Sequence, residues 1–220
     1  MKDNVAAALR DMLGPAVGIG VSDPRDVTDG LWPEERADIV RAIPKRQHEF
    51  AAGRRAARQA MTALGLPVAA IPMGHQRAPI WPKGLAGSIA HCDTLCIAAI
   101  SQTHQSIGID IEHATPLDAD LIAIVCTSAE QALLKHMPQA AQGMHCKRIF
   151  SAKEAVYKAQ YPLTGQIIGF DALSVSMDRQ DEFAATWHQP MPNLPSLRGS
   201  VRMLPNVILA VAVTTRGRPW

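Results

Sequence analysis

Apolar and polar positions follow two different periods along this chain, and each change of period marks an element. The N-terminal MKDNVAAALRDML sets a short Val-Ala-Leu patch between acids and predicts a short amphipathic helix, and VGIGVSD (17–23) predicts a strand ending in a Pro24 turn. Pro33 stands at a first helical position after Trp32, with Glu34 and Glu35 where the helix dipole favours acids, and Pro44 interrupts that helix. A longer helix follows over 45–64, stopped by Gly65 and Pro67. Residues 72–87, rich in Pro, Gly and Trp, read as a loop. Then GSIAHC, LCIAAIS and SIGIDIE make three short runs of β type, separated by Asp93-Thr94 and by residues 102–105, and predict a small antiparallel meander. Residues 117–125 and 128–136 read as helices, as does a segment ending near Gln160, just before the Tyr161-Pro162 break. From Phe170 the period is that of strands, in DALSVSM, EFAATWH, SLRGSVRM and NVILAVAVTT. The last is nearly all apolar, as a strand buried on both faces is. Helices mixed with mainly antiparallel strands predict an α+β fold.

At 220 residues and 47% hydrophobic content the chain can bury a sizeable core, as one domain or as two small ones. No apolar run approaches the roughly 20 residues of a membrane-spanning helix, so no membrane span is expected, and the start reads as that of a cytoplasmic protein. A formal charge of +2 leaves anion binding to the local placement of basic residues and does not point to nucleic acid as a partner. Cys92, Cys96, Cys126 and Cys146 are most simply reduced thiols. Zinc on His91, Cys92, Cys96, His145 and Cys146 is the alternative, although no C-x-x-C pair appears.

Two stretches carry the candidate chemistry. In IGIDIE (107–112) side chains alternate across a strand, so Asp110 and Glu112 project from one face and Ile109 and Ile111 from the other. Two carboxylates placed that way suit a hard cation, magnesium above all; a strand with a polar outer face has the same pattern. Gly108 lets the backbone pass close to a neighbour or ligand. In FSAKEAVYK (150–158), Glu154 and Lys158 lie one helical turn apart, either an acid for metal beside an amine for phosphate or an ordinary surface ion pair. Ser151 and Glu154 also fit an S-x-x-E capping box, provided that the helix starts there.

Arg46, Phe50, Arg54 and Arg58 recur every four residues, with Arg55 beside them, and form one basic stripe: an anion grip or a solvated face. His91 closes the apolar GSIAH run, a place for a functional histidine or for a hydrogen-bonded core one. The other histidines show no H-E-x-x-H spacing, and there is no G-x-S-x-G elbow, Walker loop or dinucleotide fingerprint.

Taken in order, KRQHEFAAGRRAAR, RAPIWPKGLAGSIAHC, IGIDIE and FSAKEAVYKA resemble the motifs of the 4′-phosphopantetheinyl transferases, specifically the enterobactin-synthase component D type within the Sfp-like group, over residues 45–159. The resemblance implies a magnesium-dependent, holo-[acyl-carrier-protein] synthase type enzyme. Such an enzyme transfers 4′-phosphopantetheine from coenzyme A to a serine of an acyl or peptidyl carrier protein and releases adenosine 3′,5′-bisphosphate. Motif by motif, it implies Asp110, Glu112 and Glu154 as metal ligands, and Lys158 and Lys153 as lysines serving the phosphates and the active-site network. It implies a coenzyme A phosphate on His91, with Arg54 and Arg58 near the adenosine 3′-phosphate and Arg46 in the same basic segment. Glu130 stands eighteen positions past Glu112 and matches by spacing an acid near the site, so the resemblance leaves either Glu154 or Glu130 to take the serine's proton. Ala90 stands where the family commonly has Ser or Thr, which removes a hydroxyl from the coenzyme A grip.

The implied fold is a pseudo-twofold pair of similar α+β halves with the active site between them. Here these are 1–104, with the basic helix and the coenzyme A grip, and 105–220, with the metal-binding acids. The implied protein is a monomer serving a siderophore, polyketide or fatty-acid pathway. Two other readings fit the residues: a magnesium-dependent phosphohydrolase that cuts a pyrophosphate with water, and a non-catalytic module that binds through the arginine stripe.

Overall fold

Residues 1–26, 30–178, 180–192 and 194–215 are described by a computed structural model, in which the chain forms two units, Met1–Ile107 and Gly108–Thr215. The first holds α1 (Lys2–Leu13), β1 (Val17–Ser22), α2 (Pro33–Arg36), α3 (Pro44–Ala63), β2 (Ala86–His91) and β3 (Cys96–Ser101). The boundary falls inside β4 (His104–His113). The second unit continues with α4 (Ala119–Val125), α5 (Ser128–Leu134), α6 (Gln139–Thr164), β5 (Leu173–Met177), β6 (Glu182–Trp187), β7 (Arg198–Met203) and β8 (Val207–Thr215). The α+β class expected from the sequence is the class observed.

In the first unit the sheet order is β1-β3-β2, and both pairings are antiparallel, with Ile19 opposite Ala99 and Ile89 opposite Ala98. The predicted meander therefore holds only for its first hairpin. The strand SIGIDIE forms as expected, but it joins a five-stranded sheet of order β4-β8-β7-β6-β5. Turn residues show that strands exist; the partner of β4 lies about a hundred residues along the chain, where no local signal reaches.

Small residues let each long helix lie close on its sheet. A Cβ on Gly18 or Gly20 of β1 meets the carbonyl oxygens of Ala60 and Ala56 on α3 at 2.1 and 1.9 Å. On Gly108 of β4 it meets the Ala155 oxygen of α6 at 1.9 Å. Only glycine opposite a helical alanine permits that approach. Ala56, Ala57, Ala60, Met61, Ile71, Ala98 and Ile100 close the first core, and Ala155, Val156, Ala159, Val201, Ile208 and Ala210 the main second one. Residues 207–212 of β8 are all buried, as their unbroken apolar run predicts.

Two helix ends differ from expectation. The helix expected from Pro33 as far as Pro44 is only the four residues of α2, followed by turns. Conversely, α6 runs past Tyr161 and Pro162 to Thr164, where Gly165 (φ 67°) ends it by donating its N–H to the Tyr161 carbonyl at 2.8 Å. A proline in the last turn removes one intrahelical hydrogen bond, and the left-handed glycine cap takes over termination. Ser151 therefore sits in mid-helix, and the S-x-x-E capping box does not exist.

Candidate active site

The acids of the second unit are set by one strand and one helix. On β4, alternation buries Ile109 and Ile111 and turns Asp110 and Glu112 to the opposite face. On α6, Lys147, Ser151, Glu154 and Lys158 follow one another at spacings of four, three and four, so they form a single stripe. The stripe meets the strand's acids. Lys158 Nζ donates to Asp110 Oδ1 at 2.7 Å, Ser151 Oγ to Asp110 Oδ2 at 2.8 Å, and Lys147 Nζ to Glu112 Oε2 at 2.5 Å.

Charge is crowded here. Burial pushes the Glu154 carboxyl above its usual range; Lys158 pulls it back, while Asp110 and Glu112 push it further up. Burial works against the Lys158 ammonium, but Asp110, Glu154 and Glu112 outweigh it and raise its pKa. The acids need positive charge, and their hard oxygen donors match magnesium in kind. Among the described residues no three His, Cys, Asp or Glu side chains stand as a ready metal cage; lysines 147 and 158 hold the acid oxygens. The zinc alternative is not met there either: the four cysteines are free thiols, and burial pushes Cys96 up to about 12.

Beside Glu154 opens a cavity of about 190 Å³ lined by Lys153, Tyr157, Ile168, Phe170 and Leu173. Lys153 shows it little polar surface. Its ammonium, 1% exposed, donates to Glu130 Oε2 at 2.8 Å and to the carbonyls of Val125 and Phe170 at 2.9 and 2.8 Å. Glu130, 2% exposed, also accepts the N–H groups of Thr127 and Val175, each at 2.7 Å.

In the first unit the arginine stripe divides. Arg46 Nη1 donates to His91 Nε2 at 3.0 Å and lies 3.4 Å from Glu49, which itself stands 3.7 Å from His91. A guanidinium can only donate, so His91 carries its neutral-state proton on Nδ1. Arg54 lies across the Phe50 ring at 3.7 Å and donates Nε to the Ile71 carbonyl at 2.8 Å, while its buried Nη2 has no partner among the described residues. Burial lowers its pKa to about 10. Arg58 is engaged inside the fold: it donates to Glu35 at 2.8 Å and to the Gly30 carbonyl.

Of the residues singled out from the sequence, Asp110, Glu112, Glu154 and Lys158 thus gather at one place in the second unit, and Arg46 and His91 pair in the first. Arg58, Lys153 and Glu130 are enclosed in buried polar contacts. Sequence reasoning missed Lys147 and Glu49 as site residues and considered Ser151 only as a cap, on the condition that a helix starts there. The spacing of 147, 151, 154 and 158 was the signal that could have found two of them.

Family profiles and known proteins match this chain in sequence. The profile described as 4′-phosphopantetheinyl transferase N-terminal domain matches residues 34–101, and that of the 4′-phosphopantetheinyl transferase superfamily matches residues 106–212. The chain is 41% identical over 158 residues to 4′-phosphopantetheinyl transferase Svp of Streptomyces mobaraensis, an alignment covering 70% of this chain and 64% of that protein, slightly less than two thirds of its length. It is 37% identical over 161 residues to 4′-phosphopantetheinyl transferase PptT of Mycobacterium tuberculosis, covering 71% of this chain and 69% of that one. With enterobactin synthase component D of Escherichia coli it shares 36% identity over 169 residues, covering 72% and 80%. The two profiles cover the long helices α3 and α6 and the acid-bearing part of β4, and the chain belongs to the 4′-phosphopantetheinyl transferase superfamily.

Proposed function

We propose that this protein is a holo-[acyl-carrier-protein] synthase type transferase of the cytoplasm. It moves 4′-phosphopantetheine from coenzyme A to a serine of an acyl or peptidyl carrier protein and releases adenosine 3′,5′-bisphosphate. The observation that carries the reading is the crowding of Asp110, Glu112 and Glu154 with Lys158 at a cavity, in a chain of this family. Asp110, Glu112 and Glu154 are the residues to hold Mg2+, which when bound neutralises pyrophosphate charge and orients the phosphorus for in-line displacement.

The side chains divide the remaining work. Glu154 is the general base: it is partly exposed and borders the cavity, where a carboxylate oxygen can take the proton of a serine hydroxyl. The serine oxygen forms the new bond to the β-phosphorus as the bond from that phosphorus to the bridging oxygen breaks. Lys158 balances the charge that builds on the phosphate oxygens. The nucleotide end of coenzyme A is assigned to Arg46, His91 and Arg54. The partnerless Nη2 of Arg54 fits an anion, because a buried donor left unpaired is costly and a phosphate oxygen satisfies it. Arg54→Met is expected to raise the KM for coenzyme A by about 10- to 100-fold with little change in kcat, read from initial rates.

The deciding experiment mixes the protein, coenzyme A, Mg2+ and a panel of apo carrier proteins, and reads carrier mass. Gain of one phosphopantetheine on a carrier serine is expected. Release of phosphopantetheine to water with no carrier modified sinks the transfer reading in favour of hydrolysis.

Metal demand should follow pH. A carboxylate must be ionised to ligate, and the folded pKa of Glu154 is raised, so it protonates at a higher pH than a free carboxylate does. As pH falls through that raised value, the Mg2+ concentration for half-maximal rate is expected to climb. A requirement independent of pH across the acid range removes Glu154 from the ligand set.

A further inference from the structure

The buried pair Lys153–Glu130 of the second unit has a counterpart in the first. Arg58 Nη1 donates to Glu35 Oε1 at 2.8 Å, as Lys153 Nζ donates to Glu130 Oε2 at 2.8 Å. Each acid is the third residue of a short helix and accepts the N–H of that helix's N-cap residue, Trp32 at 3.0 Å for Glu35 and Thr127 at 2.7 Å for Glu130. The other oxygen of each acid takes the N–H of a residue that follows the long helix, Ile71 at 2.8 Å or Val175 at 2.7 Å. Each base also donates to the carbonyl two positions before that N-cap, Gly30 for Arg58 and Val125 for Lys153.

The numbering keeps step. The differences 130 − 35, 153 − 58, 127 − 32 and 125 − 30 are all 95. So are the differences between helix starts, 128 − 33 for α5 and α2 and 139 − 44 for α6 and α3. Gly18 faces the Ala60 carbonyl as Gly108 faces that of Ala155; the helix residues differ by 155 − 60 = 95 and the strand glycines by 108 − 18 = 90. Three polar contacts and two helix starts share the offset of 95, and the acceptor pairing of Ile71 and Val175 recurs at 175 − 71 = 104, past a longer connection; unrelated segments do not repeat such a pattern by chance.

What differs between the units is the site face. Gly20 and Ser22 occupy on β1 the places that Asp110 and Glu112 hold on β4, and Ala56, Gln59 and Ala63 occupy on α3 those of Ser151, Glu154 and Lys158 on α6. The first unit therefore keeps the buried acid–base pair without the acids of the candidate site. A feature present in both copies serves what both copies do, which is to fold.

We propose that Glu130 and Lys153 are a structural lock, duplicated with Glu35 and Arg58, that fixes the rotation of α6 and so positions Glu154, and that neither carries the reaction itself. Lys153 is the neighbour of Glu154 on α6, turned by one residue's rotation away from the site stripe; tying its ammonium to Glu130, Val125 and Phe170 holds the stripe toward Asp110. Glu130, with three N–H donors on it and almost no exposure, is closed to a substrate hydroxyl. Breaking such a pair from one side leaves an unpaired buried charge, which is why the lock is strong in place and severe when cut.

The test compares Glu130→Gln and Glu35→Gln in the full chain by thermal unfolding, and Glu130→Gln by the pH profile of kcat. The expected result is a fall in unfolding midpoint of roughly 10 °C for each variant, with the acid limb of the Glu130→Gln profile retained. In the same assay Lys153→Arg, which copies the Arg58 arrangement, recovers most of the midpoint lost in Lys153→Met. The lock is overturned if Glu130→Gln leaves the midpoint unmoved, if only one unit responds, or if the acid limb disappears. A Glu130→Gln protein that cannot fold supports it as the limiting case of the same loss. The activity arm rests on the transfer reading above; the unfolding arm does not, so an inactive wild-type protein still leaves the lock decided.

Discussion

Asp110→Asn is expected to reduce carrier modification by about 10²- to 10³-fold while the protein stays folded. Asp110 is the acid on which the two elements of the site converge, taking Lys158 on one oxygen and Ser151 on the other. Asparagine keeps the shape and still offers an acceptor to either donor, so the fold is largely spared. What it removes is the negative charge, and with it a hard oxygen ligand and the main partner that keeps Lys158 charged against its burial. Mass-resolved modification of an apo carrier reads the loss, and circular dichroism reads the fold. Near-normal transfer by Asp110→Asn takes Asp110 out of the reaction and leaves the acid cluster without its centre.

Gly108→Ala is the second large effect, and it acts on stability. The added Cβ stands 1.9 Å from the Ala155 carbonyl oxygen and 2.6 Å from the Ala159 nitrogen, both backbone atoms of α6 that no rotamer change can move. The helix must shift outward or the strand must bend, and either disturbs the core that Ala155 and Ala159 help to close. A loss on the order of 3 kcal/mol or more follows, with a matching loss of activity because the same two elements carry Asp110 and Glu154. Denaturant unfolding is the measurement. Gly84→Ala is the instructive comparison: nothing lies within 4 Å of a Cβ there, but the backbone has φ +86°, so its smaller penalty comes from strain instead of collision.

How much of this was legible in the sequence varies by residue. Asp110 and Glu112 were readable because a strand's period of two puts i and i+2 on one face whatever the sheet does next. Glu154 and Lys158 were readable as neighbours on a helix, but their actual relation is different: Lys158 reaches across to Asp110. Ser151 resembled a cap because the true helix start, twelve residues earlier at Gln139, carries no strong capping signal and its N-cap is Pro138. Arg58 looked like the end of an exposed stripe, since spacing by four makes a stripe without saying which side of the helix is covered. The buried Glu35 that claims it comes from an element whose four residues hardly register as a helix.

The duplication was the least visible feature, although it is written in residue numbers. Its two copies share a pattern of contacts and little identity of side chains: Trp32 stands for Thr127, Arg58 for Lys153, and Ile71 for Val175. A backbone N–H or carbonyl does its part whichever residue bears it, so the repeat survives in hydrogen bonds after it has faded from the letters.

By itself, then, the sequence determined where most helices and strands lie, though not all their ends, which face of β4 carries acids, and which family the motifs resemble, because these depend on periods and spacings that are local. Only the tertiary structure decided that β4 pairs with β8, that Lys158 and Ser151 hold Asp110, and that Glu130 and Lys153 are enclosed where the resemblance had set them in the site. Those outcomes turn on burial and on partners far along the chain. Whether a charged side chain is a reagent or a brace depends on what else reaches it, and spacing along a chain does not contain that information.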